Sequence, residues 1–217
     1  LDNALQLWSG EKMLLIPSLI DDFLDRSTIV NLLAKPTEKN YGIVSLVPSF
    51  AKAEIYKSLN SNVPSSEQIG EMVDKLKNGY YKETIVLVNR YDGIDLPDET
   101  CRILIMDSKP YFNSLVDRYE EAIRINSDSV NIKIAQKIEQ GLGRSVRGEK
   151  DYCIIFIIGP DLVKYIKSSR TNKYFSAQTK RQIEIGMYIA QMAIDELSDT
   201  KESLNALKSL MKQSLQR

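Results

Sequence analysis

Five short runs of apolar and β-branched residues punctuate the chain as far as residue 158. They occupy positions 13–16, 43–47, 84–88, 102–106 and 153–158. In each run apolar residues follow one another instead of alternating with polar ones, which is typical of a strand buried on both faces. The pattern therefore predicts a largely parallel sheet with a helical layer on each side.

Amphipathic stretches lie between the first of these runs, at positions 29–33, 51–59 and 69–76. Each follows residues that favour a helix N-cap, namely Ser27-Thr28, Ser49 and Ser65-Ser66-Glu67. Asn78-Gly79 supplies a stop after the third stretch. Alternating strands and helices predict right-handed βαβ crossovers and an α/β, doubly wound, three-layer fold.

The pattern changes near Tyr174, after which no further strand is indicated. Apolar residues recur at helical spacing up to Leu197 and again from Lys201 onward, with the polar break Ser198-Asp199-Thr200 between them. We therefore predict a sheet domain over residues 1–172 and a C-terminal helical pair over 173–217. The pair either packs on the sheet or forms a surface for a partner.

Composition narrows the possible partners and the compartment. Lysine plus arginine, at 29, equal aspartate plus glutamate, at 29, so any surface for nucleic acid must be local. Cys101 and Cys153 have no histidine with which to form a zinc site, so we expect buried free thiols in a reducing cytoplasm. No run reaches the roughly 20 apolar residues of a membrane span. A first residue that is not methionine, Leu1, leads us to expect a fragment.

Three polar segments follow the predicted elements in chain order. The first, at positions 42–49, is a strand ending in Pro48-Ser49; its serine is either a plain helix N-cap or a holder of phosphate. The second, at 89–97, comes directly after a predicted strand and contains a glycine and carboxylates. It is either a polar turn or part of a ligand site.

The third segment is Gln140-Gly141-Leu142-Gly143-Arg144-Ser145-Val146-Arg147. Two arginines three residues apart on one helical face can converge on one anion, and their forked donors match phosphate oxygens. Gly143 is expected to allow close approach beside Arg144. The alternative is a solvated basic helix end, which suits the helix dipole.

In this order the three segments resemble motifs IV, V and VI of superfamily 2 DEAD/DEAH-type helicases. The second resembles the motif V of XPD-like, excision-repair and type III restriction-subunit helicases, and the likeness spans about residues 42–158. It implies the C-terminal RecA-like domain of a helicase, a domain with the P-loop NTPase fold.

The resemblance also implies roles for individual residues. Arg144 and Arg147 would act as arginine fingers on ATP, with Gln140 in a supporting polar role. Gly93, Asp95 and Gly143 would lie at the nucleotide. Ser49, Asn89 and Arg90, together with Lys109, would contact the nucleic-acid backbone, and DNA is preferred to RNA because the similar motif V variants belong to DNA helicases.

The chain contains neither a G-x-x-x-x-G-K-[ST] loop nor a DExH box at a strand end. We therefore expect ATP and Mg²⁺ to be bound mainly by an N-terminal RecA-like domain of the same protein, and this chain alone to be inactive. Two alternatives stay open: a non-catalytic RecA-like scaffold that binds protein or nucleic acid, and a small-molecule α/β enzyme.

Overall fold

The computed structural model describes residues 11–96, 98–112, 119, 123, 127–144, 151–196 and 203–215. Its centre is a sheet of 5 strands, all parallel, in the order β1-β5-β4-β2-β3. The strands are β1 (Glu11–Leu15), β2 (Ile43–Val47), β3 (Ile85–Val88), β4 (Ile103–Asp107) and β5 (Tyr152–Ile158). Each overlaps one of the predicted runs, so the α/β fold class is confirmed.

Helices separate the strands and follow the last of them. They are α1 (Arg26–Leu33), α2 (Phe50–Ser58), α3 (Ile69–Lys77), α4 (Asp128–Leu142), α5 (Pro160–Lys167), α6 (Ser169–Asn172), α7 (Ala177–Glu196) and α8 (Ser203–Leu215). Short 3-10 turns occupy Pro17–Leu19 and Asp98–Cys101. The pair α5 and α6 was not predicted; Gly159, at φ 92°, and Pro160 at the first helical position begin it.

The sheet is buried on both faces, which explains its uninterrupted apolar runs. Leu104 lies in a core cluster with residues of α3, α4 and α5, whereas the next residue, Ile105, lies in a second cluster with residues of α1, α2 and α8. Neighbouring residues of a strand point to opposite faces, so both must be apolar when both faces are covered.

Two of the predicted helix starts are wrong. Asp25, not Ser27 or Thr28, caps α1 by accepting a 2.7 Å hydrogen bond from the backbone N–H of Thr28. Helix α3 follows Gln68, whose side chain makes no capping bond. The prediction for α2 is confirmed, because Ser49 Oγ accepts from the Lys52 N–H at 3.3 Å.

The C-terminal helices pack on the sheet domain in this structure. A Cβ on Gly186 of α7 would lie 3.0 Å from the Leu14 carbonyl oxygen, so the glycine allows α7 to approach β1 closely. Leu207 of α8 is fully buried, and the Tyr152 hydroxyl donates to the Leu215 carbonyl at 3.4 Å. Because α7 lies against β1, an edge strand, it covers one of the two exposed edges of the sheet. The domain boundary at 172/173 stays a prediction.

Both cysteines are free and buried, as expected. Within the described ranges, no helix combines the length and apolar character needed to cross a membrane.

Candidate nucleotide and nucleic-acid site

Polar residues collect where the parallel strands end, an edge of the sheet that we call the carboxyl edge. Ser49 follows β2, Asn89 and Arg90 follow β3, and Asp107 ends β4. Because the carboxyl ends of parallel strands meet on one side, residues far apart in sequence become neighbours there. This is where open α/β sheets bind their ligands.

Asn89 turns the chain sharply at the end of β3. Its φ of 51° lies in the left-handed region, which asparagine tolerates better than most residues. Its N–H donates to the Val47 carbonyl at 2.7 Å, which extends the pairing of β3 with β2 by one residue. Its side-chain oxygen is buried and accepts no hydrogen bond from the part of the chain that the structure describes.

The next residues form a loop with two buried ends and an exposed tip. Tyr91 and Leu96 are buried, whereas Gly93 and Asp95 are exposed. Gly93 has a φ of 77°, and a Cβ added there would meet nothing within 4 Å, so backbone conformation and not crowding explains the glycine. The anchored ends hold the exposed tip in one place.

An open cleft of about 810 Å³ separates this loop from α3. Arg90, Gly93 and Asp95 line one side of it, and the other side includes Gly70 and Lys77 of α3. Arg90 Nη2 donates to Ser66 Oγ at 2.9 Å and so links the loop to the segment before α3. The cleft therefore brings three of the predicted site residues together.

Arg144 meets this loop from the other direction. The residue is only 3% exposed, and its Nη1 donates to the Ile94 carbonyl at 3.1 Å. Its own carbonyl accepts from the Leu96 N–H at 3.4 Å. Segments that lie 50 residues apart in sequence are thus joined through both the side chain and the backbone of one arginine.

The prediction that Arg144 shares one helical face with Arg147 is wrong. Helix α4 ends at Leu142 with Gly143 as its C-cap, so Arg144 lies beyond the helix. Gln140 is exposed on the last turn, and Arg147, like Pro97, lies outside the described residues. The roles predicted for Gln140, Gly143, Arg144 and Arg147 stay predictions.

Close approach occurs at Gly141 instead of Gly143. A Cβ on Gly141 would lie 2.5 Å from Met106 Cε, whereas one on Gly143 would meet only carbonyl oxygens of its own helix, at 3.4 and 3.5 Å. Gly141 therefore lets the end of α4 press onto the sheet, which places Arg144 beside the loop.

Comparison with known proteins identifies the family of this chain. A family model described as "Helicase C-terminal domain" matches residues 36–181, which include all three polar segments. The chain belongs to this family. Among solved structures it is similar to "Structure of the C-terminal domain of the DEAD-box protein Dbp5", with 12% sequence identity, a TM-score of 0.41, and coverage of 80% of this chain and 85% of that one. No curated protein matches the chain.

One feature of this helicase C-terminal domain was missed by the sequence analysis. Asp107 is fully buried at the end of β4, where it accepts from Arg26 Nε at 2.7 Å and from the Tyr56 hydroxyl at 2.9 Å. Arg26 also donates from Nη2 to the Lys52 carbonyl at 2.8 Å. A single carboxylate thus ties the first residue of α1 and the last turn of α2 to the sheet, and through Arg26 it also reaches the start of α2, the helix that Ser49 caps.

The electrostatics of this cluster follow from its burial. Burial raises the pKa of Tyr56 well above its ordinary value, and the charge of Asp107 raises it further, so the hydroxyl stays a donor. The signal in the sequence was an aspartate at the end of an apolar strand. Its partners, 81 and 51 residues away, could not be identified from the sequence.

None of the described residues forms a group of three or more histidine, cysteine or carboxylate side chains that could hold a metal ion.

Proposed function

We propose that this domain completes the ATP site of a nucleic-acid helicase whose ATP and Mg²⁺ are bound mainly by an N-terminal RecA-like domain of the same protein. Arg144 and Arg147 would supply positive charge to the phosphates across the interface. The observation that best supports this is the contact between Arg144 and the loop of Gly93 and Asp95, since it joins the two segments expected at the nucleotide.

The chemistry needed from this domain is electrostatic. Charge on the transferring phosphoryl group is stabilised by fixed donors, and an arginine provided from outside the phosphate-binding domain can raise the rate by roughly 10³-fold or more. Arginine suits this role because it stays charged and presents a planar fork. Gln140, exposed one turn before Arg144, can add a neutral donor.

Arg144 also suggests how nucleotide and nucleic acid are coupled. Its guanidinium already holds the Ile94 carbonyl, so a phosphate that draws on this side chain would compete with the loop or pull on it. The loop begins at Asn89 and Arg90, which are expected to contact the nucleic-acid backbone. A change at the phosphates would therefore reach the nucleic-acid surface through one short segment.

We expect the start of α2 to contact the nucleic-acid backbone as well. Ser49 Oγ accepts from the Lys52 N–H, which leaves its hydroxyl proton available for a phosphate oxygen. The free amides of a helix N-terminus favour the same anion. Such contacts do not read sequence, and we propose a DNA backbone as the ligand, with affinity that falls steeply as salt rises.

The test uses the full-length protein with Arg144→Ala and Arg147→Ala made separately. We expect each to lower nucleic-acid-stimulated ATP hydrolysis by about 10³-fold, with nucleotide affinity largely kept. Arg181→Ala is the matched control, because Arg181 is an exposed arginine of α7 paired with Glu184 at 3.1 Å. Full hydrolysis in both arginine variants would contradict the roles given to Arg144 and Arg147, whereas no hydrolysis by the wild-type full-length protein would favour the scaffold alternative. Hydrolysis by the 217-residue chain alone would show that ATP is bound here and not elsewhere.

A further inference from the structure

A second pocket lies at the amino edge of the sheet, where the parallel strands begin. It has a volume of about 440 Å³ and opens between the end of α1, the segment 37–41 and α8. The first residues of β2 and β4, Ile43 and Ile103, form part of its floor. We call it the amino-edge pocket. The five-residue length of β2, about 16 Å, separates it from the carboxyl edge.

The walls of the amino-edge pocket are apolar, whereas its charged groups are mainly cations. Leucines of α1 and residues Met211 and Leu215 of α8 supply the walls. Lys39, Lys208 and Lys212 supply positive charge, and Glu38, the acidic residue among the described lining residues, lies 3.6 Å from Lys82. This combination of volume, apolar walls and few charges is typical of small-molecule sites.

Lys39 is the most informative residue of the pocket. Its ammonium nitrogen is shielded from solvent and has no hydrogen-bond partner in the described part of the chain. Burial lowers its pKa, because removal from water disfavours the charged form of the ammonium. A buried ammonium without a partner is costly, and a ligand carrying negative charge would remove that cost.

The chemistry of the ligand follows from these surroundings. Among the described residues no arginine lines the pocket, so a phosphate dianion would find no forked donor there and would leave oxygens against apolar walls. A carboxylate carries one charge, which one ammonium can match. Lys208 and Lys212, four residues apart and exposed on α8, can attract an anion to the mouth without entering the pocket.

We propose that the amino-edge pocket binds an aliphatic monocarboxylate, with its carboxylate on Lys39 Nζ and its tail against the leucines of α1 and α8. The proposal does not depend on helicase activity, since the pocket lies on the opposite edge of the sheet from the residues assigned to nucleotide and nucleic acid.

The test uses octanoate, decanoate and dodecanoate as probes for the 217-residue chain with ¹³C-labelled methionine methyl groups. We expect saturable binding and a shift of the Met211 signal. Affinity should rise about fourfold for each added methylene until the tail fills the pocket. Octan-1-ol, which has the octanoate tail without its charge, should bind at least about tenfold more weakly than octanoate, because it cannot pair with the ammonium.

Two variants locate the carboxylate. Lys39→Gln should weaken dodecanoate binding by about tenfold or more, whereas Lys164→Gln, at an exposed lysine of α5, should leave it unchanged. In the wild-type chain, ¹⁵N signals of the lysine amines should show that saturation raises the pKa of Lys39, a readout that does not require the variant to fold. Equal affinity in Lys39→Gln would overturn the proposal. So would no saturable binding up to about 5 mM, or an unshifted Met211 signal.

Discussion

The two ends of the sheet each contain a buried ion pair, but the pairs differ in what they hold. At the carboxyl edge Asp107 pairs with Arg26 at 2.7 Å and binds Tyr56, so it joins the first residue of α1 and the last turn of α2 to the sheet. At the amino edge Asp151 pairs with Arg102 at 2.7 Å, and Arg102 also meets Glu99 and stacks 4.1 Å from the centre of the Tyr152 ring. In that second pair, each residue comes directly before a strand: Arg102 before β4 and Asp151 before β5.

The difference separates a positioning role from a purely structural one. Arg102 and Asp151 connect the beginnings of β4 and β5, which lie side by side and carry none of the predicted site residues. Asp107 instead holds the start of α2 through Arg26, and Ser49 is the N-cap of that helix. Breaking either pair should destabilise the fold, but only the break at the carboxyl edge should also weaken nucleic-acid binding.

Asp107→Ala is expected to have the largest effect. It leaves the buried Tyr56 hydroxyl without its acceptor and the part-buried Arg26 guanidinium without its charged partner, so we expect the free energy of unfolding to fall by about 3–5 kcal/mol. Urea unfolding of the 217-residue chain measures this. Asp151→Ala should cost a similar amount, since it leaves Arg102 without its buried partner.

Milder variants test whether the two pairs differ in function. Asp107→Asn and Asp151→Asn keep the side-chain shape, and for each we compare affinity for single-stranded DNA at low salt with that of the wild type. We expect a loss of about tenfold for Asp107→Asn alone, because Arg26, which holds the Lys52 carbonyl at the start of α2, loses its charged partner. Equal losses in both variants would show that Asp107 has no special positioning role.

Substitution of two glycines, one at each edge of the sheet, should lower the free energy of unfolding by an intermediate amount. A Cβ on Gly42, just before β2, would lie 2.0 Å from the Thr100 carbonyl oxygen, whereas a Cβ on Gly141 would meet the movable end of the Met106 side chain. Backbone cannot yield as a methionine can. We therefore expect Gly42→Ala to lower the free energy of unfolding by about 3 kcal/mol and Gly141→Ala by about 1 kcal/mol.

Gly143→Ala is the control for both, because its Cβ would make only ordinary contacts and its φ of −78° suits any residue. It should be neutral or slightly stabilising. If Gly141→Ala were as harmless as Gly143→Ala, close packing of α4 on Met106 would not be what places Arg144.

The sequence predicted those features that depend on pattern along the chain. All five strands were found because burial on both faces leaves uninterrupted apolar runs, and Ser49 was found because an N-cap serine acts locally. The cap of α1 was misplaced because Asp25, Ser27 and Thr28 are all good caps, and only the backbone conformation selects among them. A helix cap can be predicted from the sequence when only one residue near the helix start is suited to it.

Contacts between distant segments were not readable in the same way. The pattern located Arg144, but not that its guanidinium turns to the Ile94 carbonyl in this structure. Asp107 and Lys39 were not singled out from the sequence, since a charged residue at the end of an apolar run, like Asp107, or in a polar stretch, like Lys39, is common. Their roles depend on whether the folded chain places hydrogen-bond partners beside them, as it does for Asp107 but not, among the described residues, for Lys39.

The smallest expected effect concerns pH and again separates the two edges. At the amino edge, burial lowers the pKa of Lys39 and of Lys12 below the ordinary 10.5. Between the lowered folded-state pKa and 10.5 the unfolded chain binds more protons, so these lysines make stability rise with pH in that window. At the carboxyl edge, burial raises the pKa of Tyr56 and Tyr91 above 10.0. Above that pH the folded chain binds more protons than the unfolded one, so these tyrosines make stability fall as pH rises.

Lys39→Met isolates one side of this contrast. Burial also raises the pKa of Cys101 above 9.0, which opposes the lysines in alkaline solution, so the informative quantity is the difference between variant and wild type. Methionine removes the buried charge; the variant should therefore be the more stable protein near pH 7, and its advantage should shrink as the wild-type lysine loses its proton. Urea unfolding at a series of pH values from about 7 to about 10 measures the gap. A gap that stays constant would mean that the Lys39 ammonium is as well solvated in the folded chain as in the unfolded one, and the amino-edge pocket would then hold no charge in need of a partner.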